Sequence, residues 1–129
     1  MKNFFITSTL HHEWNLKFNL RLCEALESNG ISCYLPQRDT NQHGTPEEIF
    51  KQNIQGIKNS KSLLAVALNE TPNWGAEVGF AYALGKDIIA LTSRGHQMPL
   101  ILRGMVSKVI EVDNLENFES YIQTLNLEQ

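Results

Sequence analysis

The chain has 129 residues, 42% of them hydrophobic and 19% charged, with a formal net charge of −3. That length suits one domain with a real core, and residues 1–129 are read as one unit. The mildly acidic balance, without a basic run, argues against a nucleic-acid polymer or an anionic membrane as the main partner. The apolar stretch near the start is too short for a secretion signal or a membrane span, so the cytoplasm is the expected compartment. Cys23 and Cys33 fall in a predicted helix and the next strand, where they read as small core residues.

In chain order, residues 3–7 are short, apolar and aromatic and read as a first strand. Residues 13–29 carry Leu16, Leu20, Cys23 and Leu26 at helical spacing, with Gly30 just past the end. Residues 31–35 form a second strand, stopped by Pro36. The polar, turn-rich residues 36–44 read as a loop, longer than a usual strand-to-helix join and therefore a functional candidate.

Thr45-Pro46-Glu47-Glu48 starts a helix, with Thr45 as N-cap, Pro46 in the first position and Glu48 completing a capping box. It runs to about Asn59 and is expected to bury Phe50, Ile54 and Ile57. Residues 62–68 are a third, apolar strand, followed by a helix capped by Thr71 and closed by Gly85. Residues 87–92 are a fourth strand, and 93–104 a connection with a helical turn near Pro99–Leu102. Residues 108–112 are a fifth strand. Asp113 is expected to cap a last helix bearing Leu115, Phe118, Tyr121, Ile122 and Leu125.

This alternation predicts an α/β fold: a doubly wound domain with a five-stranded parallel sheet, order 2-1-3-4-5, and helices on both faces. Ligands bind such sheets outside the carboxyl ends of the strands, where the strand order reverses. Here that is between the first and third strands, bordered by residues 8–12 and 69–73, with 36–44 beside them.

Glu77 lies in the first or second turn after that crevice. At helical spacing it stands beside or on the apolar stripe of its helix, where a carboxylate is costly unless it is paired or does chemistry. The plainer alternative is a helix-start Glu favoured by the macrodipole, with its oxygens in water. Asn53 shares a helix face with Ile49, Phe50 and Ile57, so its amide either satisfies a backbone group or points into the site. Ser8 and Thr9 either contact a ligand hydroxyl or phosphate or cap the first helix. His11 and His12 are adjacent and diverge in an extended segment, so no metal site is assigned to them. Dinucleotide-binding, P-loop and nucleophile-elbow patterns are absent.

The run Trp74-Gly-Ala-Glu77-Val-Gly79-Phe-Ala81-Tyr-Ala83-Leu-Gly85-Lys86, entered from an apolar strand, resembles the signature of the nucleoside 2-deoxyribosyltransferase family. Phe4 to Ser8, Pro36 to Asp39, Phe50 to Ile54 and Pro99 to Gly104 also fit. The resemblance implies cleavage of the N-glycosidic bond of a nucleoside or nucleotide, with Glu77 attacking the anomeric carbon to form a glycosyl ester. It implies a helix N-terminus that helps keep Glu77 ionised, no cofactor and no metal, and a homo-oligomer in which a neighbour closes the site. The substrate contacts it implies are Phe5, Ser8, Asp39, Asn53, Thr71 and Asn73.

The chain departs from the family pattern in three places. Asn53 and Thr71 stand where acids are usual, and Phe5 where a Tyr is frequent. An amide cannot give a proton to a departing base, which leaves Asp39 or a His of the first loop. A hydroxyl at Thr71, together with Ser8, resembles the branch that hydrolyses nucleoside 5′-monophosphates. Two other readings stand beside this one: a non-catalytic nucleotide-binding module similar to Toll/interleukin-receptor domains, and a glycohydrolase of nicotinamide dinucleotides.

Overall fold

Strands and helices alternate along the chain as β1 (Lys2–Thr7), α1 (Glu13–Ser28), β2 (Cys33–Tyr34), α2 (Pro36–Asp39), α3 (Pro46–Lys58), β3 (Ser60–Val66), α4 (Pro72–Ala83), β4 (Asp87–Ser93), α5 (Leu100–Arg103) and β5 (Lys108–Val112). The computed structural model describes residues 1–122. The strands pair in parallel in the order β2-β1-β3-β4-β5, as expected.

Side chains alternate across the sheet, as the two-residue period of a strand requires. Phe4, Ile6, Leu64, Val66, Ile89 and Leu91 face one core with Phe18, Leu22 and Leu26 of α1. Phe5, Leu63, Ala65, Ile88 and Ala90 face the other, with Ile57 of α3 and Trp74, Val78 and Ala81 of α4. Both faces are covered, which is why the strands read as nearly continuous apolar runs.

The caps follow the sequence. Thr45 Oγ1 accepts from Glu48 N–H, Thr71 Oγ1 accepts from Trp74 N–H, and Pro46 and Pro72 fill first-turn positions. Gly30 and Gly85 take positive φ past the ends of α1 and α4, the left-handed position that glycine reaches without strain. Lys86, the last residue of the motif, donates through Nζ to the carbonyls of Lys58 and Ser60. It fastens the end of α3 to the sheet from a position beyond the end of α4, away from Glu77.

The structure corrects several expectations. Leu20 is 51% exposed; α1 instead buries Asn15, Phe18, Asn19, Leu22, Cys23 and Leu26. Two asparagines lie on its inner face, so hydrophobicity alone misplaces the stripe. Phe50 is 60% exposed and Ile54 only half-buried; the fully buried residues of α3 are Gly56 and Ile57, near its C-terminal end. Residues 36–39 are helical and not loop, since Asp39 Oδ2 accepts from Leu35 N–H and closes a turn behind Pro36.

The last segment, Leu115–Tyr121, is 3₁₀ in character with a kink at Asn117. Its cap is Asn114 and not Asp113, which pairs with Arg94. Leu115, Phe118 and Ile122 are buried as expected, while Leu125 and the Tyr121 side chain lie outside what is described.

Candidate active site

The cleft forms where β1 and β3 end side by side and their following loops part. Asn15 of α1 holds the two loops together. Its Nδ2 donates to Ser8 Oγ and to the Leu68 carbonyl, and its Oδ1 accepts from Asn69 Nδ2. Asn69 sits at φ 56, a left-handed conformation that asparagine tolerates better than most residues. The chain then turns into α4, whose first residues and Trp74 form one wall. Trp74 is buried, and its indole N–H donates to the Val66 carbonyl, so no polar group is lost with it.

Glu77 projects from the second turn of α4 toward the end of β1. Phe5 faces the α3/α4 side, so strand alternation sends Thr7 to the same side. There Thr7 Oγ1 donates to Glu77 Oε1 at 2.5 Å. On the other oxygen, Asn53 Nδ2 of α3 donates to Glu77 Oε2 at 3.2 Å. Burial pushes the Glu77 carboxyl up to about 7, against these two hydrogen bonds, which favour the ionised form. The expected help from the helix N-terminus does not hold it down. Glu77 stands beyond the first turn, outside the reach of the macrodipole.

The cleft has a volume of about 530 Å³. Ser8, Thr9, Leu10, His11 and Leu16 line it from the β1 side, and Pro36, Gln37 and Gln42 from α2 and its following loop. Ile49 and Asn53 come from α3, and Thr71, Asn73, Trp74 and Glu77 from α4 and its cap. Among these residues there is no Lys or Arg, so an anionic group would meet hydroxyls, amides, His11 and the start of α4. No group of three or more His, Cys, Asp or Glu that could hold a metal occurs among the described residues. No helix there is long and apolar enough to cross a membrane.

The structure thus brings together five of the seven residues named from sequence: Ser8, Asn53, Thr71, Asn73 and Glu77. Phe5 is fully buried beneath the cleft, stacked on Tyr34 with ring centroids 5.3 Å apart. Asp39 also lies away from the lining. Its Oδ1 accepts from Arg38 Nε, and its Oδ2 from Leu35 N–H and Arg38 Nη2. Partial burial raises its carboxyl, but Arg38 and the Leu35 N–H outweigh that and hold it below the usual range.

Sequence reasoning missed Thr7, Asn15, Tyr34 and Thr40. Thr7 was within reach, since alternation from Phe5 predicts its face. Asn15 and Thr40 act through pairings that no local pattern encodes.

A buried carboxylate with one donor on each oxygen, open to a walled cleft and half ionised near neutral pH, is suited to nucleophilic attack on an electrophilic carbon. The sequence model of the nucleoside 2-deoxyribosyltransferase family matches residues 4–123. The chain belongs to that family, whose members are nucleoside deoxyribosyltransferases and nucleotide N-glycosidases.

Solved structures share the fold. A 2-deoxyribosyltransferase from Bacillus psychrosaccharolyticus superposes with a TM-score of 0.74 at 18% identity, over 92% of this chain and 91% of that one. A CMP N-glycosidase from Clostridium botulinum gives 0.70 at 22%, over 97% and 99%. A conserved protein from Enterococcus faecalis V583 gives 0.77 at 19%, over 97% and 99%. No protein of curated function matches the sequence.

Proposed function

We propose that this chain cleaves the N-glycosidic bond of a 2′-deoxynucleoside or a nucleoside 5′-monophosphate through a glycosyl ester on Glu77. A carboxylate oxygen of Glu77 bonds to the anomeric carbon as the carbon–nitrogen bond breaks. The electron pair leaves with the base, which takes up a proton. A second base, or water, then attacks the same carbon and frees the carboxylate. The observation that carries this reading is the paired carboxylate of Glu77 facing the cleft, held by Thr7 and Asn53.

The other roles follow from placement. Ser8, Thr71 and Asn73 are proposed to hold the sugar and its 5′ substituent near the start of α4. Asn53 has an amide where a proton donor is usual, and both Asp39 oxygens are engaged. His11 is the one other titratable side chain lining the cleft, and it is proposed as the donor to the leaving base. Phe5 acts from below, through Tyr34, and Asp39 by fixing α2.

Residues 1–129 are proposed to work as one such domain, in a reducing compartment such as the cytoplasm, which suits the free thiols of Cys23 and Cys33. Self-association is part of the proposal. Phe50 of α3 and Leu100 and Ile101 of α5 are exposed on one side of the sheet and offer apolar surface for a second copy.

The test is chromatography of free bases after incubation with all deoxynucleosides and their monophosphates, with and without an acceptor base. Base release that Glu77→Ala abolishes supports the proposal. Equal release by both proteins, or none from either, overturns it. Release of nicotinamide alone from a nicotinamide dinucleotide would move the substrate class elsewhere.

A further inference from the structure

Behind Asn53 lies a second row of hydrogen bonds that points away from the cleft. Thr40 Oγ1 donates to Asn53 Oδ1 at 2.6 Å. Tyr34 Oη lies 2.6 Å from the same Thr40 oxygen. A threonine hydroxyl has one proton, and here it is committed to a carbonyl oxygen that can only accept. Tyr34 is therefore the donor to Thr40, and the row has a single direction: Tyr34 to Thr40 to Asn53, whose other end donates to Glu77.

We propose that Tyr34 and Thr40 are positioning residues that lock the side-chain amide of Asn53 with its NH₂ toward Glu77, making Asn53 a fixed donor to the carboxylate. The proposal rests on Glu77 being the reacting group, and so deepens the function given above. An amide can present either end to a neighbour, and the two ends have opposite consequences. Turned over, Asn53 would set a carbonyl oxygen against Oε2, which an ionised carboxylate rejects and a protonated one accepts. The hydroxyl row selects against that choice: with the amide turned, Thr40 Oγ1 would accept from the NH₂, the Thr40 and Tyr34 hydroxyls would share the one bond between them, and one of their two protons would lose its acceptor.

The base of the row is itself fixed by packing. The Tyr34 ring stacks on fully buried Phe5, 11° from parallel. Gly56 of α3 leaves room for both rings: a Cβ there would stand 3.0 Å from Tyr34 Cε1 and 3.1 Å from Phe5 Cε2. Thus a phenylalanine in β1 that never reaches the cleft helps set the orientation of an amide that does. The groups facing Glu77 are the uncharged Thr7 of β1 and Asn53 of α3. Among the described residues, His11 is the one other titratable side chain that lines the cleft.

The test is the titration of the Glu77 carboxyl followed by carbon-13 NMR in the ligand-free protein, comparing wild type with Thr40→Val, Thr40→Ser and Tyr34→Phe. Thr40→Val is expected to move the midpoint up by about one pH unit, the effect of losing a fixed donor to a charged group. Tyr34→Phe, which leaves Thr40 free to turn, is expected to move it the same way by a smaller amount. Thr40→Ser, which keeps the hydroxyl, is expected to restore the wild-type midpoint. An unchanged midpoint in folded Thr40→Val and Tyr34→Phe would overturn the lock, as would an equal shift in Thr40→Ser. No substrate enters this measurement. A failed lock therefore leaves glycosyl transfer standing, and absent base release leaves the lock standing.

Discussion

Thr7 and Glu77, 70 residues apart in sequence, meet at the carboxyl edge of the sheet, Oγ1 to Oε1 at 2.5 Å. One is the last residue of β1 and the other lies in the second turn of α4, so the contact joins both sides of the crevice. Removing the donor as Thr7→Val leaves burial to act with less opposition, and the Glu77 carboxyl rises further. The pH profile of base release should then show its acid limb displaced upward, with kcat/KM about tenfold lower below pH ~7. An acid limb identical to that of wild type would show that Thr7 contributes nothing to the ionisation.

Glu77 also makes the fold depend on pH in an unusual sense. Its carboxyl is raised from 4.5 to about 7 on folding, so the folded state holds the proton more tightly than the unfolded chain. The resulting loss of stability is absent below pH ~4.5 and grows as pH rises to ~7, where the folded carboxylate is ionised. Glu77→Gln keeps the shape and removes the charge. It should leave the melting temperature unchanged near pH 4 and raise stability by about 2 kcal/mol at pH 8, allowing for partial solvent access. Thermal melts at the two pH values check this; a destabilised Gln variant at pH 8 would contradict it.

Asp39 shows the opposite sign. Its carboxyl is lowered, so its stabilising contribution is present above the usual carboxylate range and is lost as pH falls through the lowered value. Asp39→Ala frees the Leu35 N–H and leaves Arg38 with Glu27 alone among its acidic partners. A loss of about 1–3 kcal/mol in urea unfolding at pH 7 is expected. Substrate affinity should change less than stability, because Asp39 is set back from the cleft. A variant with full stability and no affinity would assign Asp39 a direct contact instead.

The sheet order, the caps of α3 and α4 and the place of the crevice were legible because each rests on local chemistry. Pro46 and Pro72 mark helix starts, Gly30 and Gly85 mark ends, and unbroken apolar runs mark covered parallel strands. Glu77 stood out as a charge on an apolar helix. The short helix at Pro36–Asp39 was hidden, because its closure depends on one side-chain carboxylate returning to Leu35. Asn15 and Asn19 are polar and yet buried, since the Asn15 amide bonds to the loop after β3 and the Asn19 amide to Gln37 of α2. The row from Tyr34 to Asn53 was hidden for the same reason: three ordinary residues acquire a role only when the fold brings them together.

Phe50 and Ile101, 60% and 74% exposed, are larger apolar groups than a solvated surface favours in company. If a second copy covers them, Phe50→Glu with Ile101→Glu should shift sedimentation toward monomer, with the fold intact by circular dichroism. A wild-type protein that sediments as a monomer at every concentration would remove self-association from the account.

The proposed reaction turns on a covalent bond between Glu77 and the sugar. It is tested most directly by rapid quench of the enzyme with a 2′-fluoro-substituted nucleoside or nucleotide, followed by mass spectrometry of the digested protein. A mass increase of one glycosyl group is expected on the peptide containing Glu77, absent in Glu77→Ala. Base release without any such adduct, or the same adduct in Glu77→Ala, would contradict it.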